Sequence, residues 1–158
     1  MSAPGLLFSS RIKAVLLERV VLMSRAFAAA GIKKGDRVIV CLPNMPQAVI
    51  AFYALSRLGA IYAPIHPLST GAEIGAFSRQ AKAAWAITLD GFFPRFKEVI
   101  GSGDLEKVIV CAIGNEAGFP SNLGYALGPG RKIAPVPYGE RVLAWKKMEE
   151  RSRAAPEI

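Results

Sequence analysis

The sequence predicts an α/β domain built on a mostly parallel sheet flanked by helices. Three observations carry that prediction. Short apolar runs rich in Val and Ile alternate with stretches of helical period across residues 11–113. The connections between them are short, and no repeat of fixed period interrupts the alternation. Residues 31–68 (GIKKGDRVIVCLPNMPQAVIAFYALSRLGAIYAPIHPL) string a glycine stop, an apolar run, a Pro-Asn-Met-Pro turn, a helical run, a second glycine stop and a second apolar run into one β-α-β crossover.

In chain order, residues 1–10 show no period and are expected to be an ill-defined lead-in to an α/β core over residues 11–113. From Ile12 onward Val15, Leu16, Val20, Met23, Phe27 and Ala30 recur every three or four residues, the apolar stripe of a helix. Gly31 can take positive φ and ends it. Residues 38–42 are apolar throughout, as a parallel strand covered on both faces requires. Pro43 has no N–H for a ladder and stops the strand. Asn44 is placed to cap the next helix, which holds Pro46 in its first turn. That helix is apolar nearly all round until Ser56 and Arg57, which predicts that it is sandwiched.

Gly59 closes the helix, and residues 61–65 supply a second strand. Thr70 and Glu73 have the spacing of a capping box, and they open a helix with Ile74, Phe77 and Ala81 on its inner stripe. Residues 84–89 (AWAITL) form a third strand. A helical piece follows with Phe93, Phe96, Val99 and Ile100 inward, ended by Gly101 and Gly103, and residues 107–113 form a fourth strand. Residues 114–139 are rich in Gly and Pro and read as a long loop. Residues 140–158 regain a short helical pattern with Val142, Trp145 and Met148 to bury, then stop at AAPEI as a truncated end.

Composition narrows the function classes. With 158 residues, 52% of them hydrophobic and 20% charged, the chain is a folded domain whose apolar content leaves surface for a partner. The formal charge of +8 admits polyanions, but the basic residues are scattered in pairs (Lys33 and Lys34, Arg131 and Lys132, Lys146 and Lys147) without stacking aromatics. Nucleic acid is therefore not the expected partner. Glu18, Arg19 and Arg25 interrupt the apolar N-terminal run, so neither a transmembrane segment nor a signal peptide is expected. The two cysteines, Cys41 and Cys111, each lie inside an apolar strand run with no metal-ligand spacing; free buried thiols and a cytoplasmic location are expected.

No position is assigned as catalytic, cofactor-binding or metal-ligating. Neither GxxxxGK[ST] nor a GxGxxG after a strand occurs, and the run from Gly128 through Pro129, Gly130 and Arg131 to Lys132 precedes a proline and reads as a solvated turn. His66, the only histidine, falls at the carboxyl end of a strand, where ligands bind in parallel sheets. No nucleophile or acid can be paired with it by spacing, so a hydrogen-bonded turn residue is expected.

The ordered segments Gly-x-x-x-Gly-Asp-Arg-Val, Leu-Pro-Asn-x-Pro, a Phe-Tyr-Ala helix ending in Leu-Gly-Ala, and Pro-x-x-Pro-Leu resemble the N-terminal region of AMP-forming acyl-CoA synthetases, the adenylate-forming ligases. AITLDGFFPRF and PYGERVLAWKKM look like the long-chain fatty-acid branch, and the resemblance covers residues 26–148. It implies a partial N-terminal subdomain of the ligase fold, from an enzyme that activates a carboxylic acid with ATP and passes it to coenzyme A, with Mg as a further cofactor of the full-length family. The family's Gly-rich loop ending in Pro-Lys, its later Tyr/Thr motif, its ribose-binding Asp and its C-terminal lysine all lie beyond the matched region. The isolated chain is thus expected to be inactive, with association with the missing ligase portion or with itself. The alternative is a non-catalytic binding or interaction module that reuses the α/β fold.

Overall fold

A computed structural model describes residues 4–112 and 133–154, with side chains from residue 13 onward. Its element order is α1 (Pro4–Ala30), β1 (Arg37–Cys41), α2 (Pro46–Leu58), β2 (Ile61–Pro64), α3 (Gly71–Ala81), β3 (Trp85–Leu89), a short 3₁₀ turn (Asp90–Phe92), α4 (Phe93–Lys97), β4 (Lys107–Cys111), β5 (Val142–Ala144) and α5 (Trp145–Ala154). The strands form one 5-stranded sheet in the order β2-β1-β3-β4-β5. Every pair in it is parallel.

The sheet is covered on both faces, as the unbroken apolar strands require. On one face Val38, Val40, Trp85, Ile87, Leu89 and Ile109 pack with Met23 and Phe27 of α1, Ile50, Ala54 and Leu55 of α2, and Trp145 of α5. On the other, Ile39, Ala86, Val108 and Val110 pack with Ile74 of α3, Phe93 and Phe96 of α4, and Leu105. The alternation of Val38, Ile39 and Val40 between the two layers is the period of two of an extended strand. All five residues of β3 are buried.

The crossover at residues 31–68 is held by backbone geometry that its sequence dictates. Gly31 ends α1 at φ +110°. Asp36 then closes the turn by accepting the Lys33 N–H at Oδ2, 2.8 Å. Gly59 ends α2 at φ +72°, and the Ala60 N–H reaches back to the Leu55 carbonyl at 3.0 Å. A Cβ at Gly59 would lie 3.0 Å from Lys34 Cγ, so glycine suits that position twice over. The Gly35 N–H donates to the Gly59 carbonyl (2.8 Å) and the Ile61 N–H to the Asp36 carbonyl (2.7 Å), which sets β2 beside β1. β2 is an edge strand, where Pro64 removes no ladder bond from a second neighbour.

Five details differ from expectation. α1 begins at Pro4, inside the stretch expected to be an ill-defined lead-in; a proline costs nothing in a first turn, where N–H groups lack helical partners anyway. Val15 is 57% exposed although the helical stripe included it. The cap of α2 is Met45 at φ −147° with no side-chain bond, so Asn44 does not perform the expected capping. α2 is not sandwiched among the described residues: Gln47, Ile50, Ala51, Ala54 and Leu55 are buried, while Val49, Phe52 and Tyr53 are exposed on its other flank. Residues 142–144, expected as helix, form β5 because Val142, Leu143 and Ala144 find register with Val108, Ile109 and Val110. Most of the expected loop at residues 114–139 lies outside the described residues, as does the expected truncated end after residue 154.

The capping box at Thr70 is present in full: the Glu73 N–H donates to Thr70 Oγ1 (3.3 Å) and the Thr70 N–H donates to Glu73 Oε2 (2.7 Å). Thr70→Ala is expected to destabilise the chain by about 1 kcal/mol. Asn44→Ala, at a position without a capping bond, is expected to change stability by less than about 0.5 kcal/mol. Urea denaturation of the two variants checks both values, and a larger loss at Asn44 would contradict the assigned cap.

Candidate functional site

In parallel sheets with crossover helices on both faces, ligands bind outside the carboxyl ends of the strands. The strand order makes β1 and β3 neighbours although the chain leaves β1 through α2 toward β2, so the strand order reverses there. The carboxyl edge carries three groupings of polar residues, and they differ in how fully their hydrogen bonds are met.

The first follows β2. His66 is exposed, and its Nδ1 accepts the Leu68 N–H at 3.1 Å. Its carbonyl accepts the Ser69 N–H at 3.0 Å and the Cys41 thiol at 3.7 Å. Arg95 of α4 donates to the Pro67 carbonyl (2.8 Å) and the Ser69 carbonyl (3.2 Å), which ties this turn to the α3/α4 layer. The Thr70 N–H and hydroxyl hold the Glu73 carboxyl below the ordinary carboxylate range. His66 thus makes the hydrogen bond within a turn that is expected of a strand-end histidine beside a proline. The Cys41 thiol reaches its carbonyl, not its imidazole, so the two do not form a nucleophile and base. Burial pushes the Cys41 thiol pKa up, opposed by the Thr88 hydroxyl and the more distant Arg95 guanidinium.

The second lies at the end of the central strand. Asp90 is buried, and its Oδ1 accepts the Gly91 N–H at 2.8 Å. Burial raises the Tyr138 phenol, with smaller contributions from Asp90 and Cys111.

The third is a cavity of about 350 Å³ between α1, α2 and α5 at the end of β4. Gln47, Cys111, Ala112 and Trp145 line it together with the charged residues Arg19, Lys146, Glu149, Glu150 and Arg153. The chain builds it by bringing α5 back onto α1. Trp145 meets Phe27 edge-on, with ring centroids 5.7 Å apart at 77°. Ser152 donates to the Leu22 carbonyl at 2.8 Å. Arg19 grips Glu149 with two bonds, Nε to Oε1 at 2.7 Å and Nη2 to Oε2 at 3.0 Å. Gln47 is 1% exposed and Trp145 3%, yet Gln47 Oε1 and Trp145 Nε1 have no hydrogen-bond partner among the described residues.

Sequence reasoning gave Trp145 as a core residue and missed Gln47. The available signal was a polar residue directly after Pro46 at the head of an apolar helix. The run at Gly128 to Lys132 lies outside the described residues. Among the described residues no three of His, Cys, Asp and Glu are grouped to hold a metal ion, and no glycine-rich phosphate loop occurs. Both cysteines are free and buried. No helix among the described residues is long and apolar enough to cross a membrane.

Comparison with known proteins gives a consistent affiliation. The model of the family described as AMP-binding enzyme matches residues 14–129. Over 103 residues the chain is 34% identical to a long-chain-fatty-acid–CoA ligase of Bacillus subtilis, covering 65% of this chain and 18% of that protein. It is 28% identical over 114 residues to a crotonobetaine/carnitine–CoA ligase of Salmonella paratyphi A, covering 72% of this chain and 22% of that protein. The chain thus spans about a fifth of the length of these curated relatives. Among solved structures, a long-chain-fatty-acid-CoA ligase from Archaeoglobus fulgidus aligns with a TM-score of 0.59 at 27% identity, over 61% of this chain and 20% of that one. Acetoacetyl-CoA synthetase from Streptomyces lividans shares the fold, with a TM-score of 0.63 at 22% identity over 86% of this chain and 20% of that one.

The burial and raised pKa of the Cys41 thiol give a direct expectation. In a Cys111→Ser background at neutral pH, Cys41 should react with an aromatic disulfide reagent at least about tenfold more slowly in the native chain than in urea. Equal rates would show that the thiol is open to solvent.

Proposed function

This chain belongs to the AMP-binding enzyme family, and from that premise we propose that it is N-terminal framework of an acid–CoA ligase of the long-chain fatty-acid branch. In the proposed whole-enzyme reaction a carboxylate attacks the α-phosphorus of ATP, giving acyl-adenylate and pyrophosphate. The thiol of coenzyme A then displaces AMP to give the acyl-CoA. The contribution assigned to this chain is architectural.

The observation that carries the reading is the ordered match through residues 31–68, the same residues that fold as the β1-α2-β2 crossover. The 34% identity to a long-chain-fatty-acid–CoA ligase supports the fatty-acid branch. The absence from the sequence of GxxxxGK[ST] and of any Gly-rich loop ending in Pro-Lys supports inactivity of the chain alone. Exposed Val49, Phe52, Tyr53 and Ile61 beside the edge strand β2 support association with the remaining ligase portion or with another copy. Two free buried cysteines support a cytoplasmic setting.

A second reading, a non-catalytic binding module on the same fold, has one observation in its favour. Two residues lining the cavity between α1, α2 and α5, Gln47 and Trp145, each carry a buried polar atom without a hydrogen-bond partner among the described residues.

The inactivity of the chain alone is tested by an ATP–pyrophosphate exchange assay on the purified chain with magnesium and fatty acids of several lengths. The framework reading expects no exchange above the protein-free control. Acid-dependent exchange would overturn the inactivity of the chain and require an adenylation site within it.

A further inference from the structure

The outer face of α2 has the residue spacing of a helix–helix seam. Val49, Phe52, Tyr53 and Ser56 stand at i, i+3, i+4 and i+7, on the side of the helix away from the buried Ile50, Ala51, Ala54 and Leu55. Val49 is 43% exposed, Phe52 45% and Tyr53 52%. Ser56 adds no polar demand, because its hydroxyl donates to the Phe52 carbonyl at 2.7 Å. Edge-on contacts with Tyr53 and Tyr62 fix Phe52, with ring centroids 5.2 and 5.4 Å apart. The adjoining edge strand β2 is a poor template for an added strand. The Ile61 and Ile65 N–H groups donate inward, to the Asp36 and Val40 carbonyls, so the outward N–H positions fall to Tyr62 and Pro64, and proline has none. The chemistry of this face therefore suits a helix.

We propose that this seam is the contact surface for a second copy of the chain, the two α2 helices packing antiparallel about a two-fold axis between Phe52 and Tyr53. Such a pair is self-complementary: Val49 of each copy lies across from Ser56 of the other, a larger side chain against a small one, and the aromatic pairs meet at the axis. Charge permits the pairing. Arg57 is the one charged residue of α2. It falls across from Ala48 of the other copy, so the two Arg57 side chains are set apart by ~13 Å along the helix axis. That exceeds the Debye length of about 8 Å at physiological salt. Lys33, Lys34 and Arg37 lie before and at the start of β1, off the seam, so no ring of cations around it selects an anionic membrane. Area sets the strength. Half of Phe52 and half of Tyr53 from each of two copies bury roughly 300–500 Å² in all. Val49 adds less than either ring, so the contact stays under the ~1,000 Å² of a stable interface and the dimer dissociates on dilution. The pairing does not rest on the ligase reading; further ligase residues seated on α2 would exclude the second copy.

Sedimentation equilibrium of the full chain from about 1 μM to about 1 mM tests the proposal. The mass is expected to rise from that of one chain toward that of two and to stop there. Val49→Lys, at an exposed position outside the ring contacts, is expected to raise the dissociation constant at least about tenfold. The antiparallel geometry has its own readout. An equimolar mixture of Val49→Cys and Ser56→Cys chains, oxidised at the higher concentration, is expected to give 49–56 disulfides between copies in preference to 49–49 or 56–56; Cys41 and Cys111 are buried and do not compete. The unmodified chain decides self-association even where a variant fails to fold. A chain that stays monomeric throughout, whether its seam serves only further ligase residues or instead carries it onto phosphatidylglycerol vesicles, would overturn the proposal. So would a dimer indifferent to Val49→Lys, a majority of 49–49 disulfides, or a mass that grows past two chains. None of these outcomes alters the result expected of the ATP–pyrophosphate exchange assay.

Discussion

A parallel sheet buried on both faces has to be covered twice, and the rest of this chain follows from that requirement. Every residue of β3 is buried, and its neighbours β1 and β4 have four buried residues each. Their Val and Ile side chains alternate between a layer built from α1, α2 and α5 and a layer built from α3 and α4. The high apolar fraction of the sequence is the compositional form of the same constraint. The first layer closes only when α5 folds back on α1, through Trp145 on Phe27, Ser152 on the Leu22 carbonyl and Arg19 on Glu149. The two hydrogen-bonded contacts join residues 130 positions apart, so they confer closure late in the chain and at high loop-closure cost.

The same closure shapes the carboxyl edge of the sheet. On the α3/α4 side the chain satisfies itself: Arg95 fastens the His66 turn, and Thr70 and Glu73 cap each other. On the α1/α2/α5 side, bringing a helix across the strand ends leaves Gln47 and Trp145 each with a buried polar atom unpaired among the described residues. A third consequence appears at the β2 edge. There α2 turns one flank inward and leaves Val49, Phe52 and Tyr53 outward, with Phe52 meeting Tyr53 and Tyr62 edge-on. The proposed dependence on further ligase residues draws on this flank.

Local chemistry is what the sequence made legible. Gly31, Gly59 and the Thr70–Glu73 pair announce their roles through backbone freedom and short-range bonds, and each performs that role. The setting of His66 beside Pro67 predicts a turn residue, and its Nδ1 accepts the Leu68 N–H. Features set by distant partners were not legible. β5 is three residues long, and only its register against Val108, Ile109 and Val110 makes it a strand. Asn44 has capping chemistry, but helix geometry places Met45 at the cap. The all-round apolar pattern of α2 gives no hint of which flank is covered. Gln47 belongs to the candidate cavity only because α5 returns from elsewhere in the chain, which no spacing within residues 31–68 can encode.

Native-state hydrogen exchange of the full chain tests double coverage of the central strand most directly. The amides of residues 85–89, together with those of residues 38–41 and 108–111, should be the slowest to exchange and should open with the free energy of global unfolding measured in urea. Exchange at residues 85–89 that outpaces α3, or that proceeds while the chain remains globally folded, would contradict a sheet held between two helical layers.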